Sequence, residues 1–404
     1  MMKTGIEYIN GHALRRINTV SVFSQILIAV ALYGLCYHLF YMQSIQEGGI
    51  IRDFFSDLPL HISAGIKGES YSFLTRTAGI VAINFGNEGV AAFESGLIVL
   101  TWYFARLLIE KITGFRSVIS IYAALALIFL TNIHLPVFDY YYKERFISQP
   151  WHNITYIGMR LFAVLAIFYF IDLYKNYRER ILWKNYFCIL LLLLLSAGSK
   201  PNFFISFSAA LFIALVVDFV RDDRRIENLK KYFIIGSTVF PSCVVLFLQT
   251  RILYPSGVSG QSGETGIMLV WFSNFFEIGI GMGIIKLFVC LTFPAVVFLV
   301  NKGGDRAGRF IVLYFLVSFF IAYVFQESGA RKNDGNFFWG IQCAGYILFL
   351  FAFSYFIKNW KEGVPEKKVA SVIYKILCVI LVIAHIYSGL TYFNIIRQGA
   401  LYFI

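Results

Sequence analysis

Apolar runs of membrane-spanning length recur along almost the whole chain, and they constrain its fold more than any other feature. About 20 helical residues cross the roughly 30 Å hydrocarbon core of a bilayer. Hydrocarbon offers no partner to a backbone N–H or C=O, so long apolar runs imply helices. Composition agrees. Of 404 residues, 58% are hydrophobic and only 14% charged, where a soluble domain carries about 25% charged residues. The 43 Phe and 25 Tyr supply lipid-facing bulk and interfacial anchors.

The runs are expected near 19–42, 90–109, 117–136, 154–173, 186–197, 203–220, 232–249, 275–300, 310–325, one ending at 358, and 369–393. This is an all-α polytopic membrane protein of about 11 transmembrane helices, read as one transmembrane domain over 1–404. The first run is long and tyrosine-rich with no small-residue cleavage site after it, so a retained anchor is expected. The run at 186–197 breaks at Gly198 and Pro201, which punctuate a hairpin.

Charge between the runs sets the orientation. Lys3, Arg15 and Arg16, then Lys111 and Arg116, Lys175 to Lys184, Arg221 to Lys231, Lys302 to Arg309 and Lys358 to Lys368 fall on one side. Fewer positives fall on the other. By the positive-inside bias this predicts an N-in/C-out arrangement. The net charge of +12 is therefore a topology signal, and no nucleic-acid partner is expected. Six cysteines without a CxxC pair read as small core residues. No P-loop, GxSxG or HExxH pattern is present, which argues against an ATPase, serine hydrolase or zinc protease of standard type.

On this topology the chemically unusual loops, 43–89, 137–153, 251–272 and 326–338, share the outer face. The first contains RDFFSDLPLHIS. Asp57 and His61 are four apart, on one face of a helix that begins after Asp57. Pro59 is tolerated in its first turn, and Leu58, Ile62 and Ile66 form an apolar stripe. The helix is expected to lie in the membrane interface. Asp57 then serves as a base or ligand beside His61, and the structural alternative is a helix N-cap with an interfacial histidine. His152 and Asn153, in PWHNITY, stand where a span begins and can bind a sugar hydroxyl or phosphate. Trp151 and Tyr156 there suit an interface belt. Asp139 and the tyrosines at 140–142 can stack on a sugar ring or anchor the span. Lys200, between two apolar runs, is costly at membrane depth and suits a lipid phosphate or pyrophosphate, with snorkelling to the surface as the alternative. In ESGARKNDGNFFWG, Glu327, Arg331 and Asn336 are candidate ligands, with Arg331 as the main phosphate ligand. Glu94 and Arg106 are candidates for pairing within the membrane. The loop at 251–272 is Gly/Ser-rich and expected to be mobile.

A first helix followed by a long outer loop that opens on an acidic residue and an interfacial helix resembles the GT-C superfamily of polytopic glycosyltransferases. The match covers the topology of most of the chain, while its residue match is confined to Asp57 and Asp53 and their loop. The chain departs from better-known members in having no tandem acidic pair after the first helix and no expected soluble C-terminal domain, which leaves subfamily, acceptor and metal dependence open. The resemblance implies a polyprenyl-phosphate-linked sugar donor, and a glycan or lipid acceptor bearing a hydroxyl. It implies inverting transfer at the outer face of a bacterial-type cytoplasmic membrane, with Asp57 as base. Lys200, Arg331 and His152 would stabilise the leaving phosphate. No metal ligand set is demanded by the spacing, although Asp57, His61 or Glu327 can hold a divalent ion. Two rivals are a polysaccharide polymerase acting on lipid-pyrophosphate oligosaccharides and a lipid-sugar transporter or flippase.

Overall fold

The computed structural model describes residues 19–46, 56–134, 146–147, 151–253, 266–273, 275, 279–329, 332, 335–363 and 368–398. Asp53, Asp139, the tyrosines at 140–142, Glu277 and Arg331 lie outside these residues, as does most of the Gly/Ser-rich loop.

In chain order the helices are α1 Thr19–Ser44, α2 Leu58–Lys67, α3 Phe73–Thr113, α4 Val118–Phe129, α5 Ile154–Asn176, α6 Trp183–Ser199, α7 Asn202–Val220, α8 Leu229–Gly236, α9 Phe240–Leu253, α10 Ile280–Val300, α11 Arg306–Val324, α12 Phe338–Glu362 and α13 Lys368–Arg397. A 3₁₀ turn, Ser237–Val239, joins α8 to α9 into one span. Among the described residues nine helices are long and apolar enough to cross a membrane, and the chain is a multi-pass helical membrane protein. The remaining apolar runs form α4 and α6, which are shorter than a full crossing.

Helix α12 is the axis of the bundle. Its apolar window is 94% buried, against 17% for the windows in α1 and α13, so α12 is surrounded by protein while α1 and α13 form the periphery. α12 packs against α3, α4, α5, α7, α10 and α11. Where it passes Phe146, Gly345 lets the backbone approach: a Cβ there would stand 2.4 Å from the Phe146 carbonyl oxygen.

The expected interfacial helix after Asp57 is α2, with Pro59 in its first turn and Leu58 and Ile62 buried. The next helix differs from expectation. α3 begins at Phe73, far ahead of Val90, and runs continuously except at Gly86, whose φ of 65° and ψ of −166° break the helical path. Much of the expected loop 43–89 is therefore helix. Its first half packs back on α2, and Gly65 and Gly79 meet so closely that a Cβ on Gly79 would lie 2.2 Å from the Gly65 carbonyl carbon.

A short antiparallel ladder also stands outside the sequence expectations. β1, Ile267–Leu269, pairs with β2, Phe325–Glu327, with Ile267 opposite Glu327. It ties the far end of the 251–272 loop to the end of α11.

Ion pairs gather at the opposite end of the bundle from α2. Asp218 on α7 pairs with Arg178 at 3.0 Å and with Arg306 at the start of α11. Lys175 pairs with Asp305 at 2.6 Å, and Lys111 with Asp172 at 2.7 Å. Asp305 also caps α11 by accepting from the Gly308 N–H at 2.9 Å. Burial works against its ionisation, but Lys175, Tyr355 and that N–H outweigh it and hold the carboxyl below its ordinary range. Arg106 does not pair with Glu94. It pairs with Glu110 one turn on at 3.4 Å and bonds Gln25, because Glu94 lies several turns away along α3.

Candidate functional site

Asp57 occupies the N-cap position of α2, but its side chain makes no capping hydrogen bond. Ser56 takes that place, its Oγ accepting from the Leu58 N–H at 3.1 Å while donating to the His152 carbonyl at 3.1 Å. The Asp57 carboxylate is turned instead toward α5. Its Oδ2 accepts from Asn153 Nδ2 at 2.6 Å and lies 3.4 Å from His61 Nε2. Its Oδ1 is buried with no hydrogen-bond partner among the described residues.

Each group touching Oδ2 is itself held. Asn153 is the N-cap of α5, and its Oδ1 accepts from the Tyr156 N–H at 2.9 Å and the Thr155 hydroxyl at 2.6 Å. His61 Nδ1 stands 3.0 Å from Thr75 Oγ1 on the first turn of α3. The carboxylate is thus fixed by three elements, α2, α3 and α5. Burial pushes its pKa upward, but the charge and hydrogen bond of His61, then His152 and Lys200, outweigh that and hold it below 3.8. Asp57 is therefore ionised across the neutral range.

Lys200, the C-cap of α6, is buried beside this group. Its Nζ lies over the Trp339 ring, 4.6 Å from the centroid. The same indole touches His152 and Tyr156, with centroids 5.7 and 5.1 Å away. A ring face attracts a cation without removing its charge, so Trp339 positions the ammonium. Below this layer lie two charges, Arg160, which sequence reasoning left unused, and Glu94, which it expected only to pair within the membrane. Arg160, two turns along α5 from Asn153, is buried against the rings of Tyr346 and Tyr156, 5.0 and 6.0 Å from their centroids. Glu94 is buried on α3 within electrostatic reach of Asp57.

Glu327 and Asn336 stand on the other side of the Lys200 tip. Asn336 Nδ2 donates to Glu327 Oε2, and the Asn336 carbonyl accepts from Asn202 Nδ2 at 2.6 Å. They border a cleft of about 150 Å³ that Tyr71, Gln249 and Phe337 also line. An apolar groove of about 220 Å³ runs beneath α2, lined by Ser44, Pro59, Ile62, Ser63, Ile66 and Lys67.

Of the residues singled out in the sequence, Asp57, His61, His152, Asn153 and Lys200 converge, and Glu327 and Asn336 form a neighbouring wall. Arg331 lies outside the described residues. Asn153 is committed to Asp57 and to its own helix. Thr75, Trp339, Asn202 and Gln249 join the constellation unannounced: Asn202 follows Lys200 by two residues, which was a signal, whereas nothing in sequence ties Thr75 or Gln249 to Asp57. As for a metal, no group of three or more His, Cys, Asp or Glu side chains among the described residues is arranged to hold one. Asp57 and His61 face each other at 3.4 Å.

No family model matches the chain, and no curated protein does. Among solved structures it is similar to the oligosaccharyltransferase of Archaeoglobus fulgidus, in a crystal structure with a disulfide-tethered acceptor peptide containing the NVT sequon. Sequence identity is 13% and the TM-score 0.48, over 94% of this chain and 55% of that one, so the chain spans about half the length of that protein.

Proposed function

We propose that this chain is a GT-C-like glycosyltransferase that moves a sugar from a polyprenyl-phosphate carrier to a hydroxyl of a glycan or lipid acceptor. The reading includes eleven crossings, with α4 and α6 spanning in part, an N-in/C-out orientation and a site at the outer face of a bacterial-type cytoplasmic membrane. The observation that carries it is the Asp57 carboxylate, held through Oδ2 while its buried Oδ1 has no hydrogen-bond partner among the described residues, next to a buried lysine.

In this mechanism the acceptor hydroxyl lies against the Asp57 carboxylate. A carboxylate held below its ordinary pKa is a weak base, so it orients the hydroxyl first and takes the proton as the new C–O bond forms. The anomeric carbon loses its bond to the carrier phosphate on the opposite side, which inverts its configuration. Negative charge grows on the departing phosphate, where Lys200 and His152 stabilise it, and the reading assigns Arg331 the same task. Positioned acid–base groups contribute about 10²–10⁴ in rate. The candidate groups favour this reading over transport. They stand at helix ends on one side of the bundle, whereas transporter sites lie near mid-membrane.

The test is turnover of radiolabelled polyprenyl-phosphate sugars by purified protein in liposomes. Asp57→Asn should lower kcat by about a hundredfold or more with donor binding retained. Equal turnover by a folded Asp57→Asn protein removes the base assignment, and substrate flux without transfer to any acceptor replaces the whole reading with a transporter.

A further inference from the structure

The cleft beyond Lys200 has a chemistry of its own. It is walled by the first turn of α7, the last turns of α9, the β1–β2 ladder and Tyr71. Gln249 on α9 is only 4% exposed. Its Nε2 donates to the Ala197 carbonyl at 2.9 Å, which fixes the amide, while its Oε1 is buried without a hydrogen-bond partner among the described residues. An orphaned buried acceptor is costly to desolvate, and at a residue that lines a cleft a ligand that brings a donor would relieve that cost. Across from it, the Asn202–Asn336–Glu327 chain presents carboxamides and a carboxylate in fixed orientation. Glu327 lines the cleft while accepting from Asn336. Tyr71 and Phe337 add flat apolar surface.

We infer that this cleft is a subsite for one uncharged sugar ring. Its acceptors call for a ligand rich in hydroxyl donors, and its aromatic rings for a ligand with a C–H face. Among the described residues no Lys or Arg lines it, so phosphate and uronic acids meet no cationic side chain there and are disfavoured. Its volume of about 150 Å³ is below the roughly 300–1,000 Å³ of drug-sized sites, which suits a single ring. Lys200 directly precedes Pro201 and Asn202 in the cleft wall, so a ring seated here stays beside the cation assigned to phosphate. The inference rests on the transferase reading for which molecule brings the ring. It deepens that reading by dividing the site into an anion-binding half at Lys200 and a sugar-binding half that selects against charge.

The experiment is saturation-transfer NMR on the full chain in detergent. The probes are methyl glycosides of glucose, galactose, mannose and N-acetylglucosamine, with glucuronate and inorganic phosphate as charged competitors. At least one neutral glycoside should receive saturation. Gln249→Leu, which keeps the bulk and removes the orphaned acceptor, should weaken its binding about fivefold. Ile205→Phe, which fills the cleft, should abolish it, and Asp57→Asn should leave it unchanged. The inference is overturned if no neutral glycoside binds. It is equally overturned if glucuronate or phosphate displaces the glycoside at matching concentration, or if Gln249→Leu, folded by its circular-dichroism melt, binds as wild type does. Glycoside binding without turnover of any lipid-linked donor would sink the transferase reading alone. Turnover that persists in a chain binding no glycoside would sink the cleft alone.

Discussion

Asn153 shows how one side chain serves two structures. Its carbonyl oxygen caps α5, and its amide nitrogen holds Oδ2 of Asp57. Serine can still accept the capping bond but cannot reach the carboxylate, so Asn153→Ser separates the two roles. It should lower kcat about tenfold, the weight of one charge-assisted hydrogen bond, and cost no more than about 1 kcal/mol of stability. The pH dependence has a definite sign. With Asp57 held below 3.8, its stabilising contribution is present above the unfolded pKa and is lost as pH falls through the lower folded value. Wild-type kcat/KM should therefore show no Asp57 limb between pH 5 and 8. Removing a donor from the carboxylate raises its pKa, so the acid limb of Asn153→Ser should move upward, as a pH profile would record. The spacing of Asp57 and His61 was legible because helical periodicity is local. Asn153 reads as a sugar ligand in sequence because its partner lies 96 residues away and nothing local announces it.

At the scale of the element, the α2–α3 pair carries Asp57, His61 and Thr75. Its start after Asp57 was legible from Pro59 and the apolar stripe. The first half of α3 was not, because Asn84, Gly86, Asn87 and Glu88 dilute its hydropathy, and packing on α2 makes it helical instead. That packing depends on the Gly65–Gly79 approach. Gly79→Val would drive a side chain into Gly65 backbone, which cannot shift as a side chain tip does. It should destabilise the pair by about 2 kcal/mol or more and remove activity even though Asp57, His61 and Asn153 are intact. Proteolytic susceptibility of the segment between α1 and α2, followed with turnover, checks this. A Gly79→Val protein with wild-type turnover would show that the pair tolerates separation. The β1–β2 ladder was also illegible. Three-residue strands carry too little periodicity to stand out beside a Gly/Ser-rich stretch.

Over the whole molecule, apolar run length marked where most helices lie. One end gathers the ion pairs of Asp218, Arg178, Arg306 and Asp305, and the other gathers Asp57, Lys200 and Glu327. What run length could not show is which helix is central. α12 is less apolar than α5, α7, α10 and α11 packed around it, and its burial comes from being encircled. Asp218→Asn should loosen α7 from α5 and α11, costing about 1–3 kcal/mol since the pair is only partly buried. It should lower the melting temperature and leave the pH profile of turnover unshifted, as expected of a change at the far end of the bundle.

The elbow at Gly86 has a consequence at this scale. The helix that braces the Asp57 carboxylate through Thr75 and His61 goes on, past the break at Gly86, toward Thr113. A span longer or shorter than the surrounding hydrocarbon relieves the mismatch by tilting. Tilt below the elbow moves the bracket above it, so this chain should sense lipid length. In liposomes of monounsaturated phosphatidylcholines of increasing chain length, turnover should pass through a maximum while the melting temperature changes little. A flat response would mean that the elbow bends freely enough to isolate the chemistry from the bilayer.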